Sequence, residues 1–465
     1  MDKPDIVEKG HNEGDHTPVR DDSSHERGAK VHHEDALQDT SDPDAGKSDE
    51  EREEIDKKLL RKLDMKLIPW LTLLYLISFL DRTNIGNAKI DGLIPDLQMT
   101  QGQYQACLSI FFVSYSLFEP LTNILLKKFR PSVFLTGSMI LWGICMTCMG
   151  LVHNFSGLAA ARFFLGMFEA GLFPGVNYYL SCWYKRSEFG IRAAIFFSAA
   201  ALAGSFGGLL AAGIIQMRGV GGKPGWAWIF ILEGLATILV GIASYWMVHD
   251  FPDEAKFLSD DDRKRVIRRL QADNQGSAKH EDFKMKYFWQ SLKDWKTYAY
   301  CVVYMGCDMP LYAFSLFLPT IIREGGFAIL LGSSNPSVQY AGVFLAATGI
   351  YPCIPNTIAW ASNNLEGSYK RGVTIGIFVG WGNLNGIVSS NLYPDKNSQR
   401  YLSGHGVVLG YLAVCLLGGN IATNFLLEAE NKKRRSGKKD HLIEGKSEEE
   451  IEDMGDKVPS FIYTT

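Results

Sequence analysis

The stretch 156–180, SGLAAARFFLGMFEAGLFPGVNYYL, constrains this chain more than any other. It is apolar and long enough to cross a bilayer, for which about 20 residues suffice. Yet Arg162 and Glu169 lie in its interior. On an α-helix this spacing returns Glu169 to nearly the face of Arg162, about 10 Å further along. A charge at mid-bilayer costs at least about 2.5–3.5 kcal/mol by insertion scales, so such residues face a bundle interior or a wet cavity. Two readings stay open here. One is an Arg–Glu link that holds helices together; the other is an anion site beside a protonatable carboxylate.

Such a helix needs partners, and the chain supplies them. Apolar blocks at about 67–88, 104–126, 133–152, 193–216 and 227–248 join it before a polar interlude. Blocks at about 298–322, 338–361, 373–392 and 407–427 follow. The near-zero mean hydropathy of -0.02 averages these blocks with very polar ends. The predicted class is therefore an all-α membrane protein with about 10 transmembrane helices. Asp81, Arg82, Thr83 and Asn84 sit in the outer half of the first span, and Glu119-Pro120 in the second. Gly204, Gly207, Gly208 and Ala211 allow close packing of the fifth.

The organisation follows in order. Residues 1–65 form a polar tail, expected to be disordered, with a short surface helix at about 55–66. Its Lys57, Lys58, Arg61, Lys62 and Lys66 suit anionic headgroups. Residues 66–248 make a six-helix half, 249–297 a cytoplasmic linker, 298–427 an abbreviated four-helix half, and 428–465 a second tail. Within the linker, Ser259 followed by Asp260, Asp261 and Asp262 predicts a helix start. The early residues hold no apolar core segment, so the first span is expected to act as its own insertion signal. Lys127, Lys128 and Arg130, then Lys185, Arg186 and Arg192, outweigh Lys89, Arg218 and Lys223 on the alternate turns. The positive-inside rule then puts both termini in the cytoplasm.

Other chemistry finds little footing. The 8 cysteines lie in or beside apolar blocks and read as small hydrophobes, Cys145-x-x-Cys148 included. His32-His33 is too isolated for a metal site, and the basic run Arg263, Lys264, Arg265, Arg268 and Arg269 sits between spans, which argues against nucleic acid. Without a metal cluster, a nucleophile elbow or a phosphate loop, an enzyme is the poorest class, and no cofactor or metal is expected.

The two halves are unequal. The first occupies 66–248 and the second only 298–427, a shortfall of about two 20-residue helices with their turns. It falls after Arg323-Glu-Gly-Gly326, where 327–331 is a remnant too short to cross and 332–337 a polar turn.

Two repeated halves around a central loop already fit a secondary transporter. Three motifs sharpen this: Phe79-Leu-Asp81-Arg82-Thr-Asn84-Ile-Gly-Asn87-Ala88, Arg162-Phe-Phe-Leu-Gly-Met-Phe-Glu169-Ala-Gly-Leu-Phe-Pro174-Gly, and Gly380-Trp-Gly-Asn383-Leu-Asn-Gly386. Through them, about residues 55–435 resemble the fungal anion:cation symporter branch of the major facilitator superfamily, in which allantoate and nicotinate permeases fall. The resemblance implies 12 helices, with the eighth and most of the ninth missing here between Arg323 and Phe327. The turn Lys127-Lys128-Phe-Arg130 also lacks the family's usual Asp.

The resemblance further implies proton-coupled uptake of a small organic anion, such as nicotinate, allantoate or a vitamin-like carboxylate, by a monomer in the plasma membrane. Arg162 would bind the substrate carboxylate, and Glu169 would take up the proton and thereby free Arg162. Asp81 and Arg82, about 100° apart on a helix, stand open between substrate and structural roles. Asn84, Asn177, Tyr178 and Tyr179 are further hydrogen-bond candidates in the first half, as are Asp308, Tyr312, Asn356, Trp360 and Asn383 in the second. Of these Asp308 joins Asp81 and Glu169 as a coupling candidate. The alternative is a truncated, non-transporting isoform or gene-model product of such a transporter.

Overall fold

The first membrane helix, α1 (Asp49–Ile90), begins on a capping box: the Ser48 hydroxyl accepts the Glu51 N–H at 3.3 Å, and the Glu51 carboxylate accepts the Ser48 N–H at 3.0 Å. Asp49, Glu50 and Glu51 suit the positive end of the helix dipole. The surface helix and first span expected separately are thus one helix, which runs through Pro69. The reason is an unbroken stripe: Leu59, Leu63, Leu67, Leu71 and Leu74 all bury one face.

This is a computed structural model that describes residues 43–272, 285–324, 336–366, 368–392, 402–447, 450–451 and 454–465, of which 46–465 form one compact unit. The expected disorder of the first 42 residues, the His32-His33 pair and the 327–331 remnant lie outside the described residues.

After α1 come α2 (Gln101–Lys128), α3 (Pro131–Met149), α4 (Phe155–Glu169), α5 (Leu172–Ser181), α6 (Arg186–Ile215) and α7 (Gly225–Met247). The stretch 156–180 is therefore two helices, parted at Ala170-Gly171. Pro174 explains the break, because its ring has no N–H to give the carbonyl four residues back and crowds it. Close packing of α3 on α7 rests on glycines. A Cβ on Gly143 would stand 2.8 Å from Ile238, and one on Gly241 3.1 Å from Met139.

The linker helix α8 (Asp260–Ala272) starts as its acidic turn suggests, with the Ser259 hydroxyl accepting the Asp262 N–H at 3.2 Å. It lies on the first half: Lys62 meets Asp262 at 2.8 Å, and Arg269 meets Asp56 and Glu188. Then come α9 (Met285–Lys293), α10 (Trp295–Glu324), α11 (Pro336–Asn363), α12 (Ser368–Ser390) and α13 (Leu402–Gly410). A π-helical stretch, Tyr411–Gly418, carries α13 into α14 (Gly419–Arg435). Gly306 lets α10 lie against this stretch, where a Cβ would come 2.7 Å from the Leu416 Cα. The carboxyl-terminal segment, expected as a solvated tail, packs back on the second half through Asp456 and Tyr463.

Among the described residues there is no strand. There, 6 helices are long and apolar enough to cross a membrane by length and composition. The helices α2, α10, α11 and α12, with 28, 30, 28 and 23 residues, also have the length to cross. Large apolar side chains such as Leu117, Phe206, Leu209, Leu239, Val414 and Phe425 point outward, as a lipid-facing shell requires. The halves meet where α10 touches α1, α12 touches α2, and α11 touches α6.

Candidate functional site

At the centre of that seam sits Arg82 of α1. Its side chain is 5% exposed, and its NH2 pairs with the Glu169 carboxylate at 2.8 Å. Ser78, one turn earlier on α1, donates to the same carboxylate oxygen at 2.6 Å. The guanidinium lies 4.9 Å from the Tyr115 ring centre and 5.3 Å from that of Phe111. Its NH1 reaches across to α10 and donates to the Tyr312 hydroxyl at 2.7 Å. Tyr312 donates in turn to the Asn383 carbonyl oxygen at 2.5 Å, and the Asn383 amide donates to Glu119 of α2 at 3.1 Å. One polar chain thus runs Glu169, Arg82, Tyr312, Asn383, Glu119, crossing between the halves twice.

Arg162 of α4 is wholly buried beside this chain. Gly166, one turn on, lets α4 press against α2, where a Cβ would stand 3.2 Å from the Phe111 carbonyl carbon. The Arg162 guanidinium then stacks 4.7 Å from the Phe111 ring centre, so Arg82 and Arg162 share that ring. Its Nε approaches the Cys107 carbonyl at 3.5 Å, while NH1 and NH2 have no hydrogen-bond partner among the described residues. The expected link from Glu169 to Arg162 is therefore corrected: the acid is held by Arg82. A shared helical face gives two side chains one direction, but contact is decided by the neighbouring helix, and here α1 brings Arg82 and Ser78 to Glu169 first.

The other candidates separate. Asp81 turns away from Arg82 and accepts from Trp142 of α3 at 3.0 Å and Thr237 of α7 at 2.8 Å. Asn84 donates to Glu233 of α7 and accepts from Asn87 at 3.1 Å. Both stitch α1 into the first half. Tyr178 and Tyr179 lie at the far end of α5: Tyr178 meets the Phe251 ring, and Tyr179 donates to the His249 carbonyl at 2.8 Å. Asn177 bonds back to Phe173 within its own helix. Asn356 occupies an exposed position on α11, and Trp360 donates to the Thr464 carbonyl at 2.8 Å. Asp308 is buried, and a Cβ on Gly382 would stand 3.2 Å from its carboxylate.

The glycines of α12 explain how Asn383 reaches the centre. A Cβ on Gly380 would stand 3.3 Å from the Glu119 carboxylate, and Cβ atoms on Gly382 and Gly386 would collide with the Tyr304 and Phe112 rings. Three bare positions on one helix admit an acid and two rings from its neighbours. Sequence reasoning left Ser78 and Glu119 out of the site. An acid inside an apolar span was the available signal for Glu119, and Glu233 carries the same signal.

Comparison with known proteins agrees with this architecture. Residues 71–333 match the family model described as Major Facilitator Superfamily. The chain is 30% identical to the high-affinity nicotinic acid transporter of Saccharomyces cerevisiae, over 88% of this chain and 85% of that protein. It is 32% identical to the MFS-type transporter cnsO of Penicillium expansum, over 88% and 90%. Among solved structures, a proton:xylose symporter bound to 6-bromo-6-deoxy-D-glucose superposes with a TM-score of 0.53 at 12% identity, over 78% of this chain and 96% of that one.

Proposed function

Because the chain belongs to the major facilitator superfamily and is a multi-pass membrane transporter, we propose that it carries a small organic anion together with a proton, by alternating access around Arg82, Arg162 and Glu169. The observation that carries this reading is the Arg162 guanidinium, wholly buried with NH1 and NH2 unpartnered among the described residues. A planar fork of that kind matches a carboxylate with two parallel hydrogen bonds. Glu169 supplies the switch. As an anion it holds Arg82 at 2.8 Å; once protonated it releases Arg82, and two guanidiniums on one aromatic ring then face the incoming anion. Phe111, Phe112 and Tyr115 give that anion an apolar bed. A monocarboxylate with a flat ring, of the nicotinate kind, fits this chemistry, with both termini on the cytoplasmic side of the plasma membrane.

The test is uptake of nicotinate into liposomes that hold the purified chain under an imposed pH gradient. One pH unit is worth 1.36 kcal/mol per coupled proton, or about tenfold accumulation for one-to-one symport of a monoanion. Glu169→Gln is expected to exchange nicotinate across the membrane but not to accumulate it. Normal proton-driven accumulation by the variant overturns the coupling role. A second reading, a chain that no longer transports, is favoured by one observation: only residues 325–335 join α10 to α11, too few for a membrane-crossing helix. Accumulation by the unaltered chain rejects it.

A further inference from the structure

The end of the second half that carries the α9–α10 and α11–α12 turns holds a site unrelated to the anion pathway. Asp456 is wholly buried there, its carboxylate held by Lys296 of α10 and, at 2.5 Å, by Lys370 of α12. Both lysines are buried and share Asp294, at 3.4 and 2.8 Å. Seven residues beyond Asp456, Tyr463 lays its ring under two cations, 4.4 Å from the Lys296 ammonium and 4.3 Å from the Arg434 guanidinium.

The backbone between these anchors is gripped as well. Arg434 donates to the carbonyls of Asp456, Val458 and Phe461 at 3.0, 2.9 and 2.7 Å. Asn431 pairs with the main chain of Tyr463, accepting its N–H and donating to its carbonyl, both at 2.9 Å. Asn364 does the same for Thr464, at 2.7 and 3.0 Å. A side-chain amide that pairs with both polar groups of a residue reads peptide backbone, and an acid held by two buried lysines reads charge. These are the parts of a peptide receptor. They come from α10, α12, α14 and Asn364 just past the end of α11, so one segment ties four helices together.

We propose that this end of the second half is a peptide-docking site for a turned segment with an acid and, seven residues on, an aromatic ring folded back beside it, and that the chain's own residues 454–464 are its resident ligand. Without that segment the two buried lysines would share Asp294 alone. The occupied site clasps the ends of α10, α11, α12 and α14; the empty site leaves them unclasped and open to a second peptide of the same pattern.

Hydrogen exchange on the full chain in detergent tests this, read at the Tyr463 and Thr464 amides, with a synthetic peptide of residues 454–465 as the probe. In the unaltered chain these amides are expected to exchange at least tenfold more slowly than in the free peptide. Excess peptide is expected to displace the resident segment and remove that protection; a peptide bearing Asp456→Asn is not. Asp456→Asn in the full chain is expected to lose the protection while α3 and α7 keep theirs. The proposal is overturned if the two amides exchange at the free-peptide rate in the unaltered chain, or if the two peptides act alike. The peptide arm needs no substitution, so a variant that fails to fold leaves the test intact.

Discussion

Replacing Arg82 by Met and Glu169 by Gln together is expected to do less harm than the two single losses added. The pair sits at 2.8 Å with side chains 5% and 0% exposed, so solvent screening gives no discount. At an effective dielectric of about 20, unit charges at that distance attract by about 6 kcal/mol, most of it offset by the cost of burying them. Arg82→Met takes the paired cation from the Glu169 charge and leaves the Ser78 hydroxyl as its hydrogen-bond donor, a penalty of about 3–5 kcal/mol. Adding Glu169→Gln removes that charge and keeps an acceptor for Ser78, so the double variant should recover about 2–3 kcal/mol against the sum of the singles. A parallel cycle of Arg162→Met with Glu169→Gln should show a smaller coupling, because those two charges act on each other through space with no hydrogen bond between them. The assay is thermal unfolding in detergent, with the melting order of the variants as the readout. Strictly additive losses for Arg82 and Glu169, or equal coupling in both cycles, would refute the assigned partner.

The remaining outcomes are more local. Arg162→Lys gives up the planar fork and is expected to weaken carboxylate binding by about tenfold or more, a loss of at least about 1.4 kcal/mol, measured as KM for nicotinate in the liposome assay. Asp81→Asn retains an oxygen for Trp142 and Thr237 and should transport almost as the unaltered chain does, whereas abolished coupling would return Asp81 to the proton path. Gly143→Ala forces α3 from Ile238 and should cost about 1–3 kcal/mol, while Gly137→Ala, with open space at its Cβ, should leave the melting temperature no lower. Burial alone would raise the Asp294 carboxyl, but Lys296 and Lys370 hold it below its usual range. A depressed carboxyl stabilises fully above the ordinary Asp value of about 3.9 and loses that contribution as pH falls through its folded value. The melting temperature should therefore drop on the acid side below about pH 4, and Asp294→Asn should shrink that drop; an unchanged drop counts against the assignment.

What the sequence made legible and what it hid divide along a physical line. Local rules carried far. The acidic turn after Ser259 starts a helix as its chemistry asks, and the apolar blocks became helices. Where local reading failed, the deciding force was also local but weighed too lightly. Pro174 parts α4 from α5, and an unbroken leucine stripe fuses the surface helix with the first span. Partners were the hidden part. Glu169 finds Arg82, 87 positions earlier, and Glu119 finds Asn383, 264 positions later, because helices were laid side by side. Charge and hydropathy register that Glu119 must be satisfied, not by whom. The carboxyl-terminal segment misled for a related reason. Composition sees its charges and expects solvent, whereas Asp456 and Tyr463 are buried against groups that complement them one by one.

The chain from Glu169 to Glu119 also says how the molecule can come apart. Its two acids belong to the first half, and its middle members, Tyr312 and Asn383, to the second. Any parting of the halves at this depth must cut the Arg82–Tyr312 and Asn383–Glu119 bonds together, exposing polar atoms on both sides of the cleft. A fracture between oily surfaces would open onto vacuum and resist. Here each severed bond leaves a donor and an acceptor that water can satisfy, which lowers the cost of parting.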